Sequence, residues 1–242
     1  MSLRKKIKDN TILKPFVDIA KQIRNSFPKK SYSQTGEDLI IKHLLESLKI
    51  NKIFYLDIGA HHPKYLSNTY LFYRQGSSGI CIEPDPKLFK RIKLARRRDV
   101  CLNVGISDQT NEKLNFFIMD IPTLNTFSKS EAEKMESDKL CRIKKIITVP
   151  VMSINDLFLK YNKKIDLLTI DTEGFDEKIL ASLDFSKYRP FIICVESVSY
   201  QGSEIDNRGN DLNSMLIDKG YKLYADTHIN SIYIDNSSDI IK

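Results

Sequence analysis

The 242-residue chain is 41% hydrophobic and 29% charged, a balance that suits one α/β domain with a substantial core. The net charge of +7 predicts an anionic partner, such as a phosphorylated substrate, a nucleic acid or a membrane surface. The four cysteines form no C-x-x-C pair, which favours buried thiols over disulfides or zinc ligands. No apolar run reaches the roughly 18 residues that cross a bilayer. The basic N-terminus lacks the apolar core of a secretory signal, so we expect a cytoplasmic protein.

Residues 1–30 are predicted to form a basic helical extension before a domain at residues 31–242. Apolar residues recur there at helical spacing: Ile12, Phe16, Ile19, Ala20 and Ile23. Two roles are open for this face. It can pack on the domain or on a second copy of the chain, or it can contact a membrane surface through the flanking Lys and Arg residues.

The segment 53–60 is an apolar run that stops at an acid and a glycine, which predicts a buried strand and a tight turn. A helix at 69–75 and a second strand at 79–82 follow, and Glu83 ends that strand. This βαβ unit is typical of an adenine-nucleoside site in which the second acid binds the ribose. The turn has one glycine and contains Asp57, which disfavours the pyrophosphate of a nicotinamide dinucleotide. It suits a cationic cofactor such as S-adenosylmethionine (SAM), although other doubly wound domains also contain such a turn.

A helix is predicted to start at Thr35, with acids in its first turn. The segment 31–38 is also expected to form a wall of the cofactor site.

Further along, residues 105–150 form a predicted insertion after a third strand at 100–104. The insertion holds two strands, at 114–119 and 145–151, and a helix at 130–142, and its size favours a functional lid.

Acids end four predicted strands: Asp57, Glu83, Asp171 and Glu196. In an open α/β sheet the ligand lies outside the carboxyl ends of the strands, so we expect these acids to gather at one rim.

The ordered motifs resemble the FkbM-type SAM-dependent methyltransferases from about Ser31 to Ile234. The matching segments are Tyr32-Ser33-Gln34, Gly36-Glu37-Asp38, Asp57-Ile58-Gly59-Ala60-His61-His62-Pro63, Ser67-Asn68-Thr69, Ile82-Glu83-Pro84, Leu124-Asn125-Thr126-Phe127 and Ile170-Asp171-Thr172-Glu173-Gly174. The resemblance implies an α/β fold: a Rossmann-like, seven-stranded class I methyltransferase sheet with helices on both faces and an antiparallel last strand.

The chain looks most similar to the bacterial branch associated with surface polysaccharides. That resemblance implies an O-methyltransferase that acts on a sugar hydroxyl of a nucleotide sugar or a polysaccharide precursor. Another small molecule or a lipid-linked acceptor is an alternative, and so is a non-catalytic nucleoside-binding protein. No nucleic-acid partner is expected, because aromatic residues do not alternate with the basic ones.

The resemblance also implies which residues bind the cofactor. Asp57, Gly59 and Ala60 would surround its methionine portion, Glu83 its ribose, and Asn103, Ser107 and Asp108 its adenine. The remaining cofactor candidates are Gln34, Glu37 and Asp171.

A sugar hydroxyl is a poor nucleophile and needs a general base or a metal ion. Our hypothesis is that Asp171 acts with His228 or His62, and Glu173 is a further catalytic candidate. Alternatively, Asp171, Glu196 and His228 hold a divalent ion such as Mg²⁺ or Mn²⁺. The predicted acceptor contacts are Asn125, Thr126, Glu196 and Arg142, with Arg96, Arg97 and Arg98 as further phosphate-binding candidates.

Overall fold

The computed structural model describes residues 29–108, 112–196 and 208–237, and only the backbone of residues 208–211. The predicted N-terminal amphipathic helix falls on residues outside these ranges, so it stays a prediction, as does the boundary at residue 30. Within the described ranges, no helix is long and apolar enough to cross a bilayer.

The described residues contain two β-sheets. The strands are β1 (Phe54–Ile58), β2 (Ser78–Ile82), β3 (Val100–Leu102), β4 (Gly105–Ser107), β5 (Lys113–Met119), β6 (Ile143–Ser153), β7 (Leu167–Ile170), β8 (Ile192–Glu196), β9 (Tyr221–Asp226) and β10 (Asn230–Asp235). Seven of them form the main sheet in the order β3-β2-β1-β7-β8-β10-β9. All neighbours are parallel except β10, which runs antiparallel to β8 and β9. The predicted seven-stranded α/β sheet with an antiparallel final strand is confirmed.

Alternate residues of the central strands face opposite sides of the sheet, as strand geometry requires. Leu56 of β1 packs with one buried cluster and Tyr55 with the other. Helices cover both clusters: α1 (Glu37–Ser47), α2 (Tyr70–Arg74), α3 (Pro86–Ala95), α5 (Ile154–Tyr161), α6 (Asp176–Ser182) and α7 (Arg208–Asp218). Each buried Leu or Ile contributes about 1.5–3 kcal/mol, so the two apolar faces fix the layered arrangement.

Helix α5 has a side-chain cap at its start, whereas α1 starts after a glycine without one. The Ser153 hydroxyl oxygen accepts a hydrogen bond from the Asp156 N–H at 3.1 Å, which caps α5. The predicted start of α1 at Thr35 is wrong, because the helix begins at Glu37 and Gly36 takes the N-cap position with φ 96°. The Thr35 N–H instead donates to the Glu37 carboxylate at 2.9 Å.

The insertion forms a separate three-stranded sheet in the order β4-β6-β5. The strands β5 and β6 are antiparallel, and a 3₁₀ turn (Pro122–Leu124) and helix α4 (Lys129–Ser137) lie between them in the chain. The predicted third strand is shorter than expected, because residues 105–107 leave the main sheet and pair with β6. The predicted helix ends at Ser137 rather than near residue 142, and Lys139 after it has φ 59°.

Candidate active site

The centre of the main sheet holds the switch in strand order. Strand β2 lies on one side of β1, and β7 lies on the other, so the crevice opens above the carboxyl ends of β1 and β7. Gly59 follows β1 with φ 83°, a conformation that favours glycine. A Cβ on Gly59 would lie 1.8 Å from the backbone oxygen of Asp171. The single glycine of the turn is therefore required by both its φ and its close neighbour.

A cavity of about 580 Å³ lies above these strand ends. This volume falls in the range of small-molecule sites, roughly 300–1,000 Å³. Main-sheet residues form one part of its wall, among them Gly59, Glu83 and Asp171. The insertion forms another part through the 3₁₀ turn and the α4 residues Glu131 and Lys134. The insertion therefore borders the cavity, and its role as a lid stays a prediction.

Glu83, the predicted ribose contact, lies on the cavity wall. Its carboxylate accepts hydrogen bonds from the backbone N–H groups of His61 and Asp85, both at 2.8 Å. Burial raises the pKa of Glu83 to about 8, although these two hydrogen bonds oppose the shift. Beside it, Ile82, Pro84, Leu88 and Ile106 provide an apolar surface for a flat ring.

Three acids gather at the ends of β7 and β8. One carboxylate oxygen from each of Asp171, Glu173 and Glu196 lies within 4.8 Å of the others. The Asp171 side chain is solvent-exposed at the cavity, yet the protein around it raises its pKa to about 7, and the charges of Asp176, Asp57 and Glu37 add to this. Burial is also the largest cause of the raised pKa of Glu173, and the charges of Asp171 and Asp176 raise it further. A cationic ligand would relieve this crowding of carboxylates.

Residues 171–174 form an acidic turn after β7. Asp176 holds this acidic turn in place, and it was missed by the sequence analysis. Its buried carboxylate accepts hydrogen bonds from the Thr172 N–H at 2.9 Å and the Gly174 N–H at 3.3 Å. An acid in the first turn of α6 was the available signal. The turn itself is tight, because both Glu173 (φ 52°) and Gly174 (φ 104°) have positive φ.

The structure does not bring His228 to the other two residues of the predicted metal set. His228 is exposed in the turn between β9 and β10, and it is not among the described residues that line the cavity. Its N–H donates to Asp226 at 2.6 Å, and its φ is 66°. The three clustered acids are instead Asp171, Glu173 and Glu196, whose oxygens suit a hard divalent cation.

Two of the predicted methionine contacts do not reach the cavity. Asp57 is the fourth residue of a five-residue strand, and its carboxylate accepts a hydrogen bond from Thr69 at 2.5 Å. Burial raises its pKa, and Arg96 opposes the shift. Ala60 is also buried, and its N–H donates to Ile82 at 3.0 Å. The prediction that all four strand-end acids meet at the rim therefore fails for Asp57.

Of the two N-terminal candidates, Gln34 lines the cavity and Glu37 does not. Glu37 is fully buried and accepts hydrogen bonds from Asn230 at 2.9 Å and Thr227 at 3.1 Å. Burial alone would raise its pKa, but the hydrogen bonds from Thr35 and Asn230 lower it overall. Glu37 therefore fastens α1 to the β9–β10 turn.

The adenine contacts predicted at Asn103, Ser107 and Asp108 are not on the cavity wall. The Asn103 side chain donates to the backbone oxygens of Glu83 and Pro84, at 2.9 and 2.8 Å, and so supports the turn after β2. The Ser107 hydroxyl donates to Asp108 at 2.9 Å. Asp108 in turn pairs with Lys178 at 3.1 Å.

The arginines predicted to bind phosphate do not line the cavity. Arg142 pairs with Asp120 on the surface at 3.3 Å. Arg96 is buried and donates to Pro63 O at 2.9 Å and Ser67 Oγ at 2.7 Å. It therefore ties the loop after β1 to α3, a role that the run of three arginines did not indicate.

Of the two neighbouring histidines, His61 lines the cavity and His62 does not. The His62 Nδ1 accepts hydrogen bonds from the N–H groups of Lys64 at 3.1 Å and Tyr65 at 2.9 Å. His62 is thus an acceptor within its own turn and is poorly placed as a general base. Burial is the largest cause of the lowered pKa of His61, and the charge of His62 lowers it further.

The two predicted lid contacts have different environments. Asn125 lines the cavity, and its Oδ1 accepts a hydrogen bond from the Met119 N–H at 2.8 Å. Thr126 is fully buried and does not line the cavity. Its hydroxyl donates to the Glu173 carbonyl at 2.7 Å and accepts from the Ser128 N–H at 2.9 Å. Thr126 therefore joins the lid to the acidic turn.

Replacing Thr126 with valine should lower the free energy of unfolding by about 1–3 kcal/mol, because two partly buried backbone groups lose their partner. It should also raise KM for the acceptor more than KM for the cofactor, since the lid is no longer held on residue 173. Urea denaturation and steady-state kinetics measure the two effects. Thr148→Val is the control, because Thr148 is exposed on β6. Equal changes in the two variants would contradict this role.

Comparison with solved structures finds matches at low sequence identity. A TehB-like SAM-dependent methyltransferase from Corynebacterium glutamicum is 12% identical, with a TM-score of 0.43, over 90% of this chain and 97% of that chain. An O-methyltransferase from Bacillus cereus in complex with SAH is 13% identical, with a TM-score of 0.41, over 95% of this chain and 94% of that chain. No curated protein sequence matches the chain.

The family comparison covers most of the chain. The model described as "Methyltransferase FkbM domain" matches residues 57–223, which include Gly59, Glu83, Asp171 and Glu196 of the cavity wall. The strand order and the rim of acids at the switch point agree with this match. The chain therefore belongs to the FkbM methyltransferase family.

Proposed function

We infer that the protein is a SAM-dependent O-methyltransferase whose acceptor is a sugar hydroxyl. The observation that carries this proposal is the position of Asp171, which lies against the Gly59 turn and lines the cavity together with Glu173 and Glu196. SAM, when bound, supplies a methyl group on a cationic sulfur. Gly59 and Gln34 are placed to hold its methionine portion, and Glu83 its ribose.

Asp171 is the proposed general base. With its pKa near 7, a substantial fraction of the carboxylate is ionised at neutral pH and can take the hydroxyl proton as the oxygen–methyl bond forms. Glu173 and Glu196 are placed to accept hydrogen bonds from neighbouring hydroxyl groups of a sugar. The lid borders the cavity, where it would exclude water that competes for the methyl group.

The biological setting, the cellular location and a bound metal ion are further proposals. The setting in surface-polysaccharide synthesis and the cytoplasmic location rest on the sequence analysis alone. A divalent ion bound by Asp171, Glu173 and Glu196 would be a second route to activating the hydroxyl. The grouping of their oxygens within 4.8 Å supports this alternative.

The test has two stages. Isothermal titration calorimetry should detect SAM binding to the purified full chain, and transfer of a labelled methyl group should then be measured across free sugars, glycosides and nucleotide sugars. Transfer should be unchanged when EDTA is added, because the base needs no metal. A loss in EDTA that Mg²⁺ or Mn²⁺ restores would favour the metal route. Absence of SAM binding would remove the proposed function.

A further inference from the structure

The charges of the cavity wall are strongly unbalanced. Eight of its described residues are Asp or Glu, and Lys134 is the one Lys or Arg among them. Burial and the proximity of His62 both lower the pKa of His61, so this residue adds little positive charge at neutral pH. The chain as a whole has a net charge of +7, so the charge of the cavity wall is opposite in sign to that of the whole chain.

The acids extend beyond the part of the wall that faces the cofactor. Glu131 and Asp138 belong to the lid, and Glu177 lies in the first turn of α6. The Cγ of Glu131 is 3.1 Å from the position that a Cβ on Gly174 would occupy, so the lid brings its carboxylate to the acidic turn. SAM has a single net positive charge. The raised pKa values of Glu83, Asp171 and Glu173 mean that each of these residues contributes less than one full negative charge at neutral pH. The excess of negative charge in the acceptor half therefore comes mainly from Glu131, Asp138 and Glu177, which outnumber Lys134.

A second observation points to a ligand oxygen. The Asn125 side chain is 9% exposed and lines the cavity, and its Nδ2 has no hydrogen-bond partner among the described residues. Its Oδ1 is already held by the Met119 N–H. A buried amide donor without an acceptor is unfavourable, so a ligand that offers an oxygen at this place would satisfy it.

We propose that the acceptor is a hydroxylated molecule that carries a free ammonium group and no phosphate, the chemical class of the amino sugars. The excess carboxylates would attract the ammonium and repel a phosphate. The Asn125 amide would donate to an acceptor oxygen. This proposal rests on the methyl-transfer function above, and it replaces the phosphorylated acceptor expected from the overall charge.

Three sugars with the same ring and different charges test the proposal: glucosamine, glucose and glucose 6-phosphate. Calorimetry on the full chain saturated with S-adenosylhomocysteine should give affinities in that order. One charge pair about 10 Å apart at an effective dielectric constant of about 20 changes binding by more than about tenfold, so glucosamine should bind at least about tenfold more tightly than glucose 6-phosphate. Equal or tighter binding of glucose 6-phosphate, or no measurable binding of glucosamine, would overturn the proposal.

Two variants separate the charge from the oxygen contact. Glu131→Gln should reduce the preference for glucosamine over glucose several-fold, whereas Glu133→Gln should not, because Glu133 pairs with Lys129 on the exposed side of α4. Asn125→Ala should weaken all three sugars without changing their order. An unchanged preference in Glu131→Gln, or unchanged affinities in Asn125→Ala, would count against the proposal.

The methyltransferase function and the amino-sugar acceptor can be disproved separately. If SAM itself does not bind, the methyltransferase function is lost. If SAM binds and the order of the three sugars is absent, only the amino-sugar proposal is lost.

Discussion

Replacing Gly59 with alanine is expected to weaken SAM binding by about a hundredfold or more, since small displacements at a binding site have effects of this size. The added Cβ would lie 1.8 Å from the Asp171 backbone oxygen, and φ of 83° is itself unfavourable for alanine. The turn would move away from β7, and the rim would no longer fit the cofactor. Isothermal titration calorimetry measures the loss, and circular dichroism checks the fold.

Gly76→Ala is the matched control for this change. Gly76 has a φ of 94°, but the nearest atom to an added Cβ is 3.6 Å away in the flexible Lys52 side chain. The control therefore carries the backbone strain of about 1–2 kcal/mol without the collision. It should bind SAM normally. Similar SAM affinities in both variants would show that the close approach at Gly59 is unimportant.

Replacing Asp171 with asparagine is expected to reduce the rate of methyl transfer by about 10²–10⁴-fold, the contribution of a general base. Asparagine has nearly the same shape but cannot take the proton, so SAM affinity should change only a few-fold. Single-turnover transfer and calorimetry separate the two effects. Asp184→Asn is the control, because Asp184 pairs with Lys187 at the surface. Full activity of the Asp171 variant would exclude it as the base.

The same carboxyl predicts how the rate depends on pH. The protein around Asp171 restricts the hydration of its carboxyl group and raises its pKa to about 7, and the charges of Asp176, Asp57 and Glu37 add to the shift. The ionised form is the active one, so kcat/KM should fall as the pH decreases through about 7 and level off above it. A rate that is independent of pH between about 5 and 8 would contradict this assignment.

The sheet could be predicted because its central strands are nearly continuous apolar runs, as in other parallel sheets. The runs 53–58, 79–82 and 165–170 ended where expected, and glycine or acids followed them. Residues 105–107 were harder to assign, because their pairing with residues 151–153 is a long-range contact. No local pattern in residues 100–107 marks the change from one sheet to the other.

The site could be predicted only in part, because a strand-end residue must also point the right way. Glu83, Asp171 and Glu196 are on the cavity wall, whereas Asp57 lies before the end of β1 and bonds to Thr69. The directions of Glu37 and Thr126 depend on partners that are distant in sequence, at residues 230 and 173. Residue type and order carry no information about such partners.

The two halves of the cavity come from different parts of the chain. One end of the cavity is built by the main sheet, whereas the opposite wall comes largely from the stretch between β5 and β6, which has a small sheet of its own. Substitutions in this stretch can change the size and charge of that wall while the nucleoside pocket stays intact. The insertion could therefore be redesigned for a different acceptor without altering the strand ends of the main sheet.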